Sequence, residues 1–219
     1  MSVVLHQHPF ALYCWKPLIA LYERDVPFTP QLVEGDRSAL VPLWPPASIP
    51  ILVDDDVVVS ESSIIVEHLD RRGDAPPLVP TDRDHALQAR LWDRVVDGYV
   101  ATPVQRIVGD ALRPAGARDP QSVAEAHVTL DLAYTTLDRH LQERDHDGWL
   151  AGDDFTLADC AAAPALHYAD VLHRLDGDAF PALGAYFHRV LTRPSAARVV
   201  QEARPYREVF PLPWPERVT

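Results

Sequence analysis

The chain has 219 residues, of which 47% are hydrophobic, and its formal net charge is −12 at pH 7. This length suits one large domain or two small ones with a substantial core, and the composition excludes a disordered chain. The acidic balance argues against nucleic acid and anionic membrane surfaces as partners, and no apolar run approaches the length of a membrane span.

The first 75 or so residues predict an α/β module. In chain order its elements are a strand at 3–5, a loop at 6–13, a helix at 14–22, a strand at 27–33, a loop or short helix at 38–44, a hairpin at 50–53 and 57–59, and a helix at 62–69. Pro17 fits only the first turn of a helix, which places the start of the first helix near Cys14. Ser60 is expected to cap the last helix, with Glu61 in its first turn.

From about residue 84 onward the apolar residues recur with helical period. The predicted helices are 86–112 with a kink at Pro103, 122–141, 157–175, 181–191 and 195–203, followed by a proline-rich, extended tail at 211–219. Thr156 and Asp159 form a capping-box signature, with Phe155 as its hydrophobic staple. We therefore expect Asp159 to matter for folding and not for catalysis. Residues 72–77 have the composition of a linker, so the predicted domains are 1–78 and 84–219.

The most informative pattern joins Ile49-Pro50 to Glu61-Ser62. A proline at the start of a strand belongs at an edge or a turn, and a cis bond there would present the backbone of Ile49 to a guest molecule. The N-terminus of the helix that follows suits a carboxylate, while Glu61 supplies a negative charge for an amine. Together these residues predict a site for a free α-amino acid head group.

These residues resemble those of the soluble glutathione transferases, and the resemblance extends over the full length of the chain. Ile49-Pro50 matches the cis-proline position of that family, and Glu61-Ser62 opens a stretch similar to its Glu-Ser-x-x-Ile motif. The segment 155–159 matches the capping box of the family's second domain. The combination of His8-Pro9 with Trp15-Lys16 is similar to a bacterial branch near the zeta-type and theta-type enzymes, with Trp15 expected to serve in packing.

The resemblance implies an α/β thioredoxin-like N-terminal domain followed by an all-α helical C-terminal domain. It also implies glutathione as the co-substrate, a small electrophile as the acceptor, a role in detoxification and a homodimer. The glutathione-binding residues that it implies are Ser48, Ile49, Pro50, Glu61 and Ser62, with the backbone of Ile49 adding a strand to the sheet through the cysteinyl part of the tripeptide. Ser48 stands near a position where the family commonly carries Lys or Gln. The contact with the glycyl end is therefore expected to be weakened.

Activation of the thiol is where the chain departs from the family pattern. The thiolate is the reactive form, and the similar branch supplies a serine hydroxyl to stabilise it. Ala11 stands at that serine, Leu12 stands at the next one, and neither side chain can donate a hydrogen bond. Tyr13 and Cys14 lie beside the expected position of the sulfur and are the candidate catalytic residues. A third possibility is that the helix N-terminus alone stabilises the thiolate.

The acceptor substrate is expected to meet residues of both domains. The candidates are Phe10, Leu12, Tyr99, Arg106 and Tyr168, for which ordinary packing or a surface ion pair is the competing interpretation.

Two other functions remain open at this stage. One is a protein of this fold that binds without catalysis, and the other is a thiol-disulfide oxidoreductase that uses Cys14. Cys14 and Cys160 are expected to be free thiols in a reducing cytoplasm, because the segment 1–4 has no features of a signal peptide. His6 and His8 share a strand face but have no third ligand nearby, so we expect no metal.

Overall fold

The N-terminal part of the chain forms a mixed four-stranded sheet. The computed structural model describes residues 2–72, 75–144 and 148–218. The strands, in the order β2-β1-β3-β4, are β1 (Val3–Gln7), β2 (Thr29–Leu32), β3 (Ile51–Asp54) and β4 (Val57–Ser60). Strand β2 runs parallel to β1, and the other two pairings are antiparallel. This sheet and its helices confirm the predicted thioredoxin-like architecture.

Helix α1 (Leu12–Glu23) lies at the centre of the molecule and packs on α2 (Ser62–Leu69) and on the helices of the second part. It begins at Leu12, two residues before the predicted start, so Pro17 lies inside the helix and not in its first turn. A proline in the interior removes the amide that would donate to the carbonyl four residues earlier, here that of Tyr13. Residues 14–21, Pro17 among them, are all buried, so tertiary packing stabilises this helix together with its hydrogen bonds.

Helices are the regular structure of the C-terminal part, which has no strand among the residues that the structure describes. Its helices are α3 (Arg83–Val96), α4 (Thr102–Ala111), α5 (Pro120–Gln142), α6 (Leu157–Leu172), α7 (Pro181–Thr192) and α8 (Pro194–Ala203). The predicted helix 86–112 is thus two helices, separated by a wider π-helical turn over Asp97–Ala101. The reason is Pro103, whose missing amide costs nothing in the first turn of a new helix.

Helix α6 is the core of the helical part, since residues 157–171 are all buried. Its predicted capping box is present: Oδ2 of Asp159 accepts hydrogen bonds from the amide and the hydroxyl of Thr156 at 2.8 and 3.1 Å. Oδ1 of Asp159 accepts from the amide of Leu150 at 3.0 Å and from the hydroxyl of Tyr186 at 2.7 Å. Asp159 is therefore structural, as predicted.

Arg24 holds the chain where the two parts join. This side chain is buried, and its guanidinium donates to the carbonyls of Leu69 at 3.0 Å, Ala75 at 3.1 Å and Pro76 at 2.7 Å. Gly73 and Asp74 of the predicted linker lie outside the described residues. The domain limits 1–78 and 84–219 stay a prediction.

The C-terminal tail is not extended as predicted. It turns, with the indole nitrogen of Trp214 donating to the carbonyl of Val218 at 2.8 Å. The Trp214 ring lies 5.6 Å from that of Phe10 and 5.7 Å from that of His167. Partial burial of this ring against the core holds the tail on the body of the protein, while Thr219 lies outside the described residues.

Cys14 and Cys160 are both free thiols and both buried. Within the described ranges no helix has the length and apolar character needed to cross a membrane. Those ranges also hold no group of three or more His, Cys, Asp or Glu side chains that could bind a metal ion.

Candidate functional site

Two neighbouring cavities lie along the N-terminal end of α1. The first, here the clamp cavity, has a volume of about 530 Å³ and contains the predicted head-group residues. It is lined by Tyr13, Ser48, Ile49, Pro50, Glu61, Ser62, Ser63, Ile64, Asp93, Arg94, Asp97 and Thr102. The fold thus brings together residues 48–50 and 61–62, which are separate in sequence, because β3 and β4 return the chain to one end of the sheet.

Glu61 faces this cavity from a constrained position. The predicted cap residue Ser60 instead ends β4, and Glu61 itself is the N-cap residue of α2. The backbone φ angle of Glu61 is +69°, a value that residues other than glycine seldom adopt. The turn from strand to helix is therefore tight. Its side chain forms no cap hydrogen bond and is exposed, which leaves the carboxylate and the first-turn amides of α2 available for a ligand. The Ile49-Pro50 bond opposite is cis.

A buried lysine supports the floor of the clamp cavity. Nζ of Lys16, only 1% exposed, donates to Asp93 at 2.8 Å, to Asp97 at 2.8 Å and to the Ser63 hydroxyl at 3.0 Å. Ser63 in turn donates to Asp93 at 2.8 Å. Burial raises the pKa of Asp97, an effect that the charge of Lys16 opposes. The cluster joins α1 and α2 to the helical part directly beneath the predicted head-group site.

The second cavity, here the aromatic cavity, has a volume of about 610 Å³. Its lining includes the predicted acceptor residues Phe10, Leu12 and Tyr168, together with Ala11. Tyr168 on α6 donates a hydrogen bond to the carbonyl of Phe10 at 2.9 Å, and the two rings meet edge to face at 5.5 Å. Helix α6 thereby fixes the loop that precedes α1.

Tyr13 and Ile49 line both cavities, so Tyr13 lies at the junction between them. Burial, and after it the charge of Asp97, raises the pKa of the Tyr13 phenol. The phenol is therefore protonated at neutral pH and can donate a hydrogen bond. Ala11, the N-cap residue of α1, provides no side-chain hydrogen bond.

Cys14 is not part of either cavity. The side chain is completely buried, and burial raises the pKa of its thiol to about 12. A thiolate at Cys14 is strongly disfavoured near neutral pH, and a disulfide substrate could not reach the sulfur without local unfolding. The structure therefore separates the two candidate catalytic residues, because α1 begins earlier than predicted and turns Cys14 into the core.

Tyr99 and Arg106 also lie outside both cavities. Tyr99 is 52% exposed and belongs to the π-helical turn, and Arg106 is an exposed residue of α4. In their place, α4 contributes Val104, Gln105 and Val108 to the aromatic cavity.

Several lining residues were not anticipated from the sequence. The sequence contains one pattern that could have indicated Asp93 and Asp97: two carboxylates at positions i and i+4 share a face of a helix, beside the buried Trp92 and Val96. Val209, Phe210 and Pro211 of the tail carried no signal, because their place in the aromatic cavity depends on the fold-back of the tail.

Comparisons with known proteins agree with the two-part fold. A model of the glutathione S-transferase N-terminal domain matches residues 5–77, and a model of the glutathione S-transferase C-terminal domain matches residues 120–189. Together the two matches cover more than half of the chain.

Individual relatives have similar overall length. The chain is 28% identical to a stringent starvation protein A homolog of Coxiella burnetii, over 75% of this chain and 74% of that protein. It is 26% identical to glutathione S-transferase Z2 of Arabidopsis thaliana, over 80% and 78% of the two chains. The crystal structure of a glutathione S-transferase from Methylobacterium radiotolerans, in complex with glutathione sulfonate, matches with a TM-score of 0.78 and 29% identity, over 91% of this chain and 94% of that one.

Proposed function

Because the chain belongs to the glutathione S-transferase family, we propose that it is an enzyme that adds the thiolate of glutathione to a small electrophile, or isomerises such a substrate through a transient glutathione adduct. One observation carries the proposal: a cavity with the features of an amino acid head-group site meets an aromatic cavity at Tyr13. Glutathione bound to the Methylobacterium radiotolerans relative, as its sulfonate, supports the choice of ligand.

The clamp cavity has the charges that the γ-glutamyl end of glutathione requires. Glu61 would pair with the ammonium group, and Ser62 with the first amides of α2 would bind the α-carboxylate. The backbone of Ile49, next to cis Pro50, would pair with the cysteinyl residue. Ser48 would meet the glycyl end through its hydroxyl alone.

The sulfur would then lie near Tyr13, between the cavities. The phenol would donate a hydrogen bond to the thiolate, in place of the hydroxyl that Ala11 lacks, while the thiol proton passes to solvent. A sulfur electron pair would form the bond to the electrophilic carbon, and the electron pair displaced from that carbon would leave with a leaving group or move onto the acceptor's conjugated system. Phe10, Leu12 and Tyr168 would hold the apolar part of the acceptor.

The Glu61→Gln variant tests this proposal. It removes the charge that pairs with the ammonium group while keeping the size of the side chain, so we expect glutathione to bind about 10- to 100-fold more weakly. Titration calorimetry measures the effect, with Glu67→Gln as the control. Glu67 is on the same helix but lines neither cavity, and it pairs with Arg90 at 2.9 Å. Equal affinity of wild type and Glu61→Gln would contradict the proposal.

A second candidate is a protein that binds glutathione without catalysing its transfer. Ala11 at the usual hydroxyl position favours it, as does similarity to proteins named for stringent starvation. A panel of electrophiles separates the two candidates. Turnover that depends on Tyr13 supports the transferase, whereas tight glutathione binding without turnover supports the second function.

The homodimer belongs to the same proposal. Leu87 and Leu91 on α3 are 62% and 46% exposed one turn apart, and Ile64 on α2 is 53% exposed. We propose these side chains as the contact between two copies, and the mass of the particle in solution is the deciding measurement. The cytoplasm is the proposed location, because both cysteines are free thiols.

A further inference from the structure

Arg94 lines the clamp cavity and is the only cation among the lining residues that the structure describes. It lies on α3 in the helical part of the chain, whereas residues 48–50 and 61–64 of the same cavity belong to the N-terminal part. Its side chain is exposed, and its guanidinium forms no hydrogen bond or ion pair within the described ranges. Burial raises the pKa of Asp97 and of Tyr13, and the charge of Arg94 lowers both, so this charge acts within the cavity.

Two contacts between α2 and α3 place Arg94 near the N-terminus of α2. Glu67 pairs with Arg90 at 2.9 Å, and one turn nearer to the start of α2 the Ser63 hydroxyl donates to Asp93 at 2.8 Å. The residue numbers of these partners rise along α2 and fall along α3, so the two helices run in opposite directions here. The last turn of α3, which contains Arg94, therefore lies beside the end of α2 where the first amides are free.

The charges of the clamp cavity leave one anion and one cation for a ligand. Asp93 and Asp97 share the ammonium group of Lys16, which lies 2.8 Å from each carboxylate. The remaining charged groups of the lining are Glu61, the N-cap residue of α2, and Arg94 on α3. A free α-amino acid head group has one ammonium and one carboxylate group, so it complements this pair.

A guanidinium is well suited to the carboxylate of such a head group. It offers two parallel N–H donors that match the two oxygens of a carboxylate, together with a full positive charge. The hydroxyl of Ser62 and the first amides of α2 are neutral donors, although the helix dipole gives them a partial positive charge. Arg94 would therefore supply the counter-charge that these donors lack.

We propose that Arg94 is a specificity-determining residue of the clamp cavity, whose guanidinium pairs with the α-carboxylate of a γ-glutamyl head group while Glu61 pairs with the ammonium group. The inference rests on the proposed binding of glutathione. It adds that both parts of the chain hold the head group, and that the cavity selects thiols with an α-carboxylate over thiols without one.

Three thiols separate the two charges of the head group. They are glutathione, γ-aminobutyryl-Cys-Gly, which lacks the α-carboxylate, and glutaryl-Cys-Gly, which lacks the ammonium group. In titration calorimetry on the full chain, Arg94→Gln should bind glutathione and glutaryl-Cys-Gly about 5- to 20-fold more weakly than the wild type does. Both proteins should bind γ-aminobutyryl-Cys-Gly equally, because this ligand has no carboxylate for Arg94 to bind.

Two further variants show that the effect comes from the charge at this position. Arg94→Lys keeps a positive charge, so it should bind glutathione more tightly than Arg94→Gln does. Arg83→Gln is the matched control, since Arg83 begins the same helix, is exposed and lines neither the clamp cavity nor the aromatic cavity. It should bind all three thiols as the wild type does.

Equal glutathione affinity of the wild type and Arg94→Gln would overturn this proposal and leave the proposed function intact. An equal weakening of glutathione and γ-aminobutyryl-Cys-Gly in Arg94→Gln would overturn it too, because a role in the fold does not depend on the carboxylate of the ligand. Absence of glutathione binding to the wild type would overturn the proposed function as well.

Discussion

Tyr13 is the residue on which the proposed chemistry depends. Its phenol lies at the junction of the clamp and aromatic cavities. A tyrosine phenol is protonated at neutral pH, and burial raises the pKa of this one further. We expect Tyr13→Phe to reduce kcat about 10- to 100-fold and to leave glutathione affinity nearly unchanged, because only the hydrogen bond to the thiolate is lost. Steady-state kinetics and calorimetry measure the two effects. A wild-type kcat in Tyr13→Phe would assign thiolate stabilisation to the helix N-terminus alone.

His167 gives the fold a predictable response to acid. It lies 5.1 Å from the ring of Trp15 and 5.7 Å from that of Trp214, and burial, aided by the charge of Arg207, lowers its pKa to about 4. The unfolded chain accepts this proton near pH 6.5, so lowering the pH from 7 towards 4 favours unfolding, by up to about 3 kcal/mol.

A comparison of the wild type with His167→Phe isolates the contribution of His167 to acid unfolding. Denaturant unfolding at a series of pH values should show a smaller loss of stability below pH 6.5 in His167→Phe than in the wild type. His85→Gln is the control, because the His85 side chain is 70% exposed. If the wild type and His167→Phe lose stability in parallel as the pH falls, the His167 imidazole is not the cause of the acid sensitivity.

At the scale of elements, helix α6 depends on one carboxylate. The two oxygens of Asp159 accept four hydrogen bonds from three residues, and the side chain is completely buried. Asparagine has a single oxygen and turns an NH2 group towards N–H donors, so we expect Asp159→Asn to lower the free energy of unfolding by about 2–4 kcal/mol. Thermal unfolding of the wild type and of Asp159→Asn measures this loss of stability.

The matched control is Asp119→Asn at the exposed start of α5, where the carboxylate accepts a hydrogen bond from the amide of Ser122. Asparagine caps helices about as well as aspartate, so the melting temperature should hardly change. A similar loss at both positions would mean that the buried network contributes no more than an ordinary cap.

The elements also show what sequence alone could and could not predict. The start of α6 follows from the capping box, and the hairpin follows from β-branched runs around an acidic turn, because both signals are local. The predicted start of α1 was two residues late, and the turn at Asp97–Ala101 was not predicted at all, since a proline is acceptable both in a first turn and, if the core compensates, inside a helix. The clamp residues were predicted from motifs, whereas Lys16 and the tail owe their positions to tertiary packing.

At the scale of the whole molecule, Lys16 connects the two parts of the chain. Removing its charge in Lys16→Met would leave the carboxylates of Asp93 and Asp97 without the ammonium group that bridges them, so we expect a loss of about 3–5 kcal/mol in stability. The double variant Lys16→Met/Asp97→Asn should recover part of that loss, because one of the uncompensated charges is gone. Chemical denaturation of the four proteins of this cycle gives the coupling energy.

Arg139→Met serves as the control for Lys16, because the ion pair between Arg139 on α5 and Glu143, the residue that caps this helix, is exposed and should contribute nothing measurable. Additive effects of the Lys16 and Asp97 substitutions would show that the pair does not hold the two parts together.

The lining of the aromatic cavity comes from both parts of the chain. Residues 10–13 belong to the loop and first turn of α1, whereas residues 104–108 lie on α4 and residues 209–211 lie in the tail. Substitutions on α4 and in the tail can therefore reshape the aromatic cavity while residues 48–50 and 61–62 of the clamp cavity keep their places. In the proposed reaction, the choice of acceptor could then change independently of the affinity for glutathione.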